Sequence, residues 1–297
     1  MVLESLIAYI LECTPDNEHT LTSVVRLSAE LGDGLLNRLM MELEELAPNS
    51  FAVARYKMYN SMAKAERMYA SIQGILAEKL SPFAFNGAAA LFSNPLKINI
   101  PAVGCEKTAV FLAISDTDRS MDRLAALFYT QALQVLCNCA DKSPGNRLKI
   151  PVRLILDDFA AAADSCIPDF DKIISVIRSR EISVSVILQS LSQLEASYGH
   201  SRAMTIINNC DSCLYLGGQD VETARYIAAK ANRSANTILD MPLDNAWLFQ
   251  RGTTPMQVRK FELRQHPRYH ELSQASERQT ANEVGACEND WSLGRGA

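Results

Sequence analysis

Over residues 1–80 apolar positions recur at the spacing of one helix face. Leu3, Leu6, Ile7, Ile10 and Leu11 form one stripe. Leu21, Val24, Val25, Leu27 and Leu31 form a second, and Leu35, Leu36, Leu39, Met40, Leu43 and Leu46 a third. Each keeps the i, i+3, i+4 pattern that gathers apolar side chains on one side of an α-helix. Thr14-Pro15-Asp16-Asn17, Gly32-Asp33-Gly34 and Pro48-Asn49-Ser50 carry the turn residues that separate them. Thr20 or Thr22 is the expected N-cap of the second helix. A long helix is expected over 51–80, stopped by Ser81-Pro82.

From about residue 89 the pattern changes. Short apolar runs at 96–100, 108–115, 152–156, 183–189 and 213–216 predict buried strands. Between them, 121–139, 171–180, 191–196, 201–208 and 221–231 predict helices, and late strands at 247–249 and 258–263 flank a turn at Gly252-Thr253-Thr254-Pro255. Strands alternating with helices imply βαβ units and a mostly parallel sheet flanked by helices. The expected fold class is α/β with an N-terminal all-α domain. The expected divisions are 1–88 for the helical bundle, 89–270 for the α/β part and 271–297 for a polar, flexible tail.

Composition narrows the function classes. The 297 residues are 48% hydrophobic and 21% charged, with a formal net charge of −5. A chain-wide basic footprint for nucleic acid is absent. No apolar run reaches the length of a bilayer span and no signal-peptide pattern opens the chain, so a cytoplasmic protein is expected. Charge is uneven: in 1–50 nine acids stand against Arg26 and Arg38, whereas 51–80 is basic. That asymmetry fits a docking surface for protein or DNA, or ordinary solvated helix faces. The eight cysteines form no secreted framework. Cys210-Asp211-Ser212-Cys213 has metal-type spacing but lacks a second pair to complete four ligands, so reduced, buried thiols are expected.

The chemistry centres on Val152-Arg153-Leu154-Ile155-Leu156-Asp157-Asp158-Phe159. An apolar run ending in two carboxylates reads as a buried parallel strand, and open α/β sheets bind ligands at such carboxyl ends. In P-loop NTPases a carboxylate there holds Mg²⁺, and a neighbouring acid orients the attacking water. Any buried strand can also end in Asp-Asp. Gln189 falls at the carboxyl end of the next strand, where an amide can meet a γ-phosphate or its attacking water, or be an ordinary polar strand end. Arg178, with Arg180 nearby, sits at a helix end; it fits either the helix dipole or a transition-state contact in a neighbouring subunit. The phosphate-cradling G-x-x-x-x-G-K-[ST] is absent from the chain. The nearest decoy, Gly104-Cys105-Glu106-Lys107-Thr108, puts a carboxylate where phosphate must sit and is rejected.

Taken together, these segments resemble the TraG/TraD-type coupling ATPases of type IV secretion and conjugation. The resemblance is carried by Leu154-Ile155-Leu156-Asp157-Asp158-Phe159, Ile167-Pro168-Asp169-Phe170 and Arg178-Ser179-Arg180-Glu181-Ile182-Ser183-Val184. It continues through Gln189-Ser190-Leu191-Ser192-Gln193-Leu194, Tyr198-Gly199, Asn208-Asn209-Cys210, and Leu216-Gly217-Gly218-Gln219-Asp220 with Thr223-Ala224. It implies a RecA-like P-loop NTPase motor domain, incomplete here, and an all-α domain inserted between the family's two nucleotide motifs. It further implies a homo-hexameric ring that uses ATP and Mg²⁺ to deliver relaxase-bound single-stranded DNA to a type IV secretion channel. Asp157 would be the Walker B metal carboxylate and Asp158 the catalytic acid, where the family usually has Glu. Gln189 would sense the γ-phosphate and Arg178 would be a trans arginine finger. Two acids, an amide and a guanidinium would then converge at one rim of a central sheet.

The resemblance also implies membrane helices, anchoring the family at the cytoplasmic face, and a Walker A segment, both ahead of the all-α domain. The chain is therefore expected to be the carboxyl-terminal part of a longer protein, to bind negligible ATP alone, and to be monomeric in isolation. Whether it is an enzyme is left open. The alternative is a non-catalytic adaptor whose degenerate RecA-like domain docks relaxase or an accessory protein. A metal-dependent nuclease built on Asp157, Asp158 and Asp164 is a weaker third reading, since no His or Lys completes the set. Arg251, Arg259, Lys260, Arg264 and Arg268 form a basic group that suits DNA phosphates, the next subunit, or a solvated rim.

Overall fold

The computed structural model describes residues 1–29, 34–62, 66–84, 86–93, 98–115, 119–160 and 166–271. These divide into two compact units. One comprises Met1–Gln189 with Gln193–Ile206, and the other Ser190–Ser192 with the chain from Ile207 on.

The first unit begins with helices α1 (Val2–Cys13), α2 (Leu21–Ala29), α3 (Leu35–Leu46), α4 (Phe51–Met62), α5 (Glu66–Leu80) and α6 (Asn86–Ser93). The stripes read from the sequence face one another. Leu6, Val24, Leu36, Met40, Leu43, Val53, Tyr56 and Leu76 share a buried cluster, so the helical block has its own core. The turns do what their residues dictate. Thr14 ends α1 by donating both its N–H and its hydroxyl to the Ile10 carbonyl. Of the two candidate caps, Thr20 starts α2, its hydroxyl oxygen accepting from the Ser23 N–H at 3.1 Å. Whether α4 and α5 join as one long helix falls on 63–65, outside the described residues.

Two expected strands differ from the structure. Residues 94–97 lie outside the described residues, and Ile100 opens a short helix, α7 (Ile100–Val103). Asn99 caps it by accepting from the Ala102 N–H, and Pro101 sits in its first turn, where a missing N–H costs nothing. Residues 108–115 run without strand pairing and stay exposed, Phe111 at 92%. An apolar run becomes a strand only against a neighbour, and among the described residues no strand pairs with this one.

The rest of the unit surrounds a parallel pair. Helix α8 (Asp122–Lys142) leads to β1 (Val152–Leu156), and α9 (Phe170–Val176) and a 3₁₀ turn (Ile177–Arg180) lead to β2 (Ile182–Val186). The strands pair in register from Val152↔Ile182 to Leu156↔Val186. β1 was expected to be buried on both faces, but Arg153 and Ile155 are exposed, Ile155 at 64%. β2 likewise buries Ile182 and exposes Ser183. A pair this narrow has only one face covered. Helices α10 (Leu191–Tyr198) and α11 (His200–Asn208) follow.

In the second unit β3 (Ser212–Tyr215), β4 (Asn245–Gln250) and β5 (Met256–Arg259) form an antiparallel sheet, with helices α12 (Val221–Ala231) and α13 (Ala235–Leu239) between β3 and β4. Tyr215, Trp247 and Phe249 pack with Ile227, Ala228 and Ile238 in its core. The late strands thus depart from the mostly parallel expectation. The short 251–255 connection between β4 and β5 can reverse a chain but cannot carry the crossover a parallel pair needs. Among the described residues no helix is long and apolar enough to cross a membrane.

Candidate functional site

Parallel pairing in register puts the carboxyl ends of β1 and β2 side by side, with Leu156 opposite Val186. Whatever follows each strand therefore emerges at the same rim. The pairing extends one step further. The Ile187 N–H donates to the Leu156 carbonyl at 2.9 Å, and the Phe159 N–H donates to the Ile187 carbonyl at 3.0 Å. Between these two bonds lie Asp157 and Asp158, both exposed. The backbone reverses there through two left-handed residues, Asp158 at φ 47° and Ala160 at φ 63°. Asp tolerates that region because its short carboxylate can satisfy nearby backbone groups. The neighbouring carboxylate does this here, as Asp157 Oδ1 accepts the Asp158 N–H at 3.1 Å.

Gln189 leaves β2 onto the same rim, and its Nε2 donates to Asp158 Oδ1 at 3.0 Å. Gln193 Nε2, one turn into α10, donates to Gln189 Oε1 at 3.2 Å. The result is a line of polar groups from α10 to the acids. Below it the turn rests on buried aromatics. Phe159 packs between Phe170, 5.0 Å away, and Tyr198, stacked at 5.7 Å. Tyr198 Oη accepts the Ile167 N–H at 2.9 Å and donates to the Ile167 carbonyl at 3.2 Å. Burial pushes the Tyr198 phenol far above its usual range, so it serves as a neutral brace. Ser197 Oγ donates to the Ala160 carbonyl at 3.2 Å, tying the left-handed turn to the same helix.

Three of the four expected site residues are therefore together, and Arg178 is not among them. It lies in the 3₁₀ turn before β2, a strand length of about 16 Å from the rim. That opposite end has its own ion pairs. Arg180 donates to both Asp141 oxygens at 2.8 and 3.1 Å, and Arg147 pairs with Glu181 at 2.8 Å. Asp164, a member of the nuclease reading, lies outside the described residues.

The basic group lies in the second unit, and most of it is already paired. Arg251 meets Asp211 at 3.0 Å, Arg259 meets Asp244 at 3.1 Å, and Arg268 meets Glu271 at 2.6 Å. Lys260 and Arg264 have no acidic partner among the described residues. The same unit holds a cluster that spacing alone would have flagged as a helix cap, Asp220-x-x-Thr223. Asp220 accepts the Thr223 N–H at 2.9 Å, the Thr223 hydroxyl and, at 3.0 Å, the Ser192 hydroxyl. These bonds hold its carboxyl below the usual carboxylate range. The two N–H groups of Leu191 and Thr223 are thus both spoken for, the first by Thr223 Oγ1 at 2.9 Å.

Among the described residues no group of three or more His, Cys, Asp or Glu is placed to hold a metal. Burial raises the thiols of Cys210 and Cys213, which makes them poor zinc ligands and poor nucleophiles. Asp157 and Asp158 offer exposed carboxylate oxygens, the donor type that Mg²⁺ prefers when phosphates supply further ligands. The rim fits half of a magnesium–nucleotide site. The other half, a glycine-rich cradle with its lysine, has no counterpart in these residues.

Residues 151–236 match the family model described as the TraM recognition site of TraD and TraG. Among solved structures, the unbound monoclinic form of the bacterial conjugative coupling protein TrwBdeltaN70 is similar, with a TM-score of 0.53 and 15% identity. That match covers 88% of this chain and 67% of the other. The plasmid coupling protein TrwB in complex with the GTP analogue GDPNP, and with the ATP analogue ADPNP, each match with a TM-score of 0.52 and 16% identity. Both matches cover 87% of this chain and 67% of the other. No curated protein sequence matches the chain. Residues 151–236 therefore match the TraM recognition site of TraD and TraG, within a chain whose α/β fold is similar to that of the conjugative coupling protein TrwB.

Proposed function

We propose that this chain supplies the acid-and-amide side of the nucleotide site in a conjugative coupling ATPase. In that reading the complete ATPase assembles as a hexameric ring at the cytoplasmic face of a membrane and feeds relaxase-bound single-stranded DNA to a type IV secretion channel. The observation that carries it is the rim itself. Two acids after β1 and an amide after β2 meet at one sheet end, with Gln189 Nε2 3.0 Å from Asp158 Oδ1. The match to TrwB structures containing nucleotide analogues supports the choice of ligand.

Each residue then has a role. Asp157, whose Oδ1 already serves the backbone, would turn its other oxygen to Mg²⁺, through water. The metal would supply positive charge beside the phosphates. Asp158 would orient the attacking water, held in place by Gln189, and Gln189 would present its remaining N–H to the γ-phosphate. Asp158 is one methylene shorter than the Glu usual at its position, so water stands farther from it and hydrolysis is slower. Arg178 would point from the opposite end of β2 into the site of a neighbouring subunit. The phosphate cradle would come from residues beyond these 297.

Titration with Mn²⁺ and ADPNP, followed by NMR, tests the assignment. Paramagnetic broadening should reach Asp157, Asp158 and Gln189 before any other residue of the first unit. Broadening that starts elsewhere sinks it. Calorimetry should detect no tight Mg–ATP binding by the chain alone, and tight binding would show that the phosphates sit somewhere else.

The adaptor reading has one observation in its favour: the matched segment is described as a recognition site for TraM. In that case the chain binds a relaxosome protein with no nucleotide present, and mutation of Asp157 leaves that binding intact. For DNA, Lys260 and Arg264 are the members of the basic group with no acidic partner among the described residues. Removing both should flatten the salt dependence of single-strand binding, whereas an unchanged slope would exclude them as phosphate contacts.

A further inference from the structure

A carboxamide has two unlike ends, and which end Gln189 turns to the rim decides whether the rim donates or accepts. Asp158 is an acceptor when ionised, so the Gln189 atom 3.0 Å from its Oδ1 must be the nitrogen. The Gln189 oxygen then points back towards α10, where Gln193 Nε2 lies 3.2 Å away. The two glutamines differ in freedom. Gln189 is exposed, whereas Gln193 is half-buried on a helix beside the fully buried Leu194. Gln193 is the anchored end of the line, and Gln189 is the end that has to be held.

We propose that Gln193 is a positioning residue for Gln189. By donating to Gln189 Oε1, it keeps the carboxamide turned so that both N–H groups face the acids. One is used by Asp158, and the second is presented to a phosphoryl oxygen. The reversed carboxamide would set its oxygen against Asp158 and against the phosphate, both anionic. Gln193 thus selects for anionic phosphoryl groups without touching them. The identity of the ligand rests on the nucleotide reading; the orientation of Gln189 does not.

The test uses the side-chain amide resonances of the full ¹⁵N-labelled chain, with those of Gln189 identified by their loss in Gln189→Glu. In the wild-type chain the two Gln189 Hε protons should be well dispersed. Gln193→Met keeps the length but has no donor, and should collapse that pair towards free-amide shifts while the backbone amides of β2 and α10 stay in place. Gln193→Lys donates without accepting and should keep the wild-type pattern. Gln193→Glu accepts without donating and should draw the Gln189 amide away from Asp158. Unchanged Gln189 resonances in Gln193→Met overturn the proposal. If that variant does not fold, a Gln193→Glu spectrum in which Gln189 keeps its wild-type shifts overturns it equally. Adding Mn²⁺ with ADPNP to the wild-type chain separates the two ideas, because paramagnetic broadening also reports weak contacts: broadening that starts away from Gln189 counts against the nucleotide reading, while the variants still decide the role of Gln193.

Discussion

Asp158 occupies a backbone region that most residues enter at a cost of about 1–2 kcal/mol. It does so at the place where the chain reverses over the rim. Strain and hydrogen bonding can be separated by substitution. Asp158→Ala loses the acceptor of the Gln189 amide and keeps the unfavourable φ, so it should destabilise the first unit by about 1–3 kcal/mol in urea unfolding. Asp158→Gly loses the same acceptor but removes the strain, so it should be the milder of the two; the reverse order would mean that the turn is not strained. Asp220 offers a second residue-scale test. Asp220→Ala removes an N-cap and should cost about 1 kcal/mol, whereas Asn caps nearly as well. Because the folded carboxyl is held below its ordinary value, its contribution is complete above about pH 4 and lost as pH falls through the folded pKa. Asp220→Asn should therefore remove that acid-dependent loss, read from hydrogen exchange of the first α12 amides. Asp157, Asp158 and Gln189 were legible from sequence because counting past a strand end locates a rim. The bond from Gln193 to Gln189 was not legible. Four residues apart can mean one helix turn, but here Gln189 precedes the helix, and only the structure shows the two carboxamides meeting.

At the scale of elements, periodicity succeeded wherever an element carries its own partner. The stripes of α1, α2 and α3 are amphipathic and close on one another, so each stripe reads correctly in isolation. β1 and β2 read correctly because a short helical crossover joins them and their register buries Leu156 and Ile182. Residues 108–115 failed for the opposite reason. Their apolar run satisfies every local criterion for a strand, yet strand formation is decided by a neighbouring edge that local pattern does not contain. β4 and β5 read as strands flanking a turn, and their antiparallel direction follows from that short connection. The element most exposed to a single change is the Phe159 turn. Tyr198 serves both backbone groups of Ile167 in a buried setting. Tyr198→Phe leaves them without partners and should cost about 1–3 kcal/mol in urea unfolding. A loss near zero would mean that water reaches Ile167.

At the scale of the whole molecule, function depends on what the exposed apolar surface is for. Single exposed apolar side chains are ordinary, but Val110, Phe111, Leu112 and Ile114 stand together on one extended stretch, and Ile155 is exposed on β1 in the same unit. Such a stretch has backbone groups and side chains ready to pair with another strand, which is a liability in a free chain and an asset in an assembly. Phe111 makes this measurable because, at 92% exposure, it contributes almost no packing to the folded chain. Phe111→Ser should leave the unfolding midpoint within about 0.5 kcal/mol of the wild-type value, as surface substitutions do. It should nevertheless lower the binding of a hydrophobic dye and reduce self-association at high protein concentration in sedimentation velocity. A clear loss of stability would instead show that Phe111 is covered in solution. In that case 108–115 would already be paired, and the parallel sheet would be wider than its two strands.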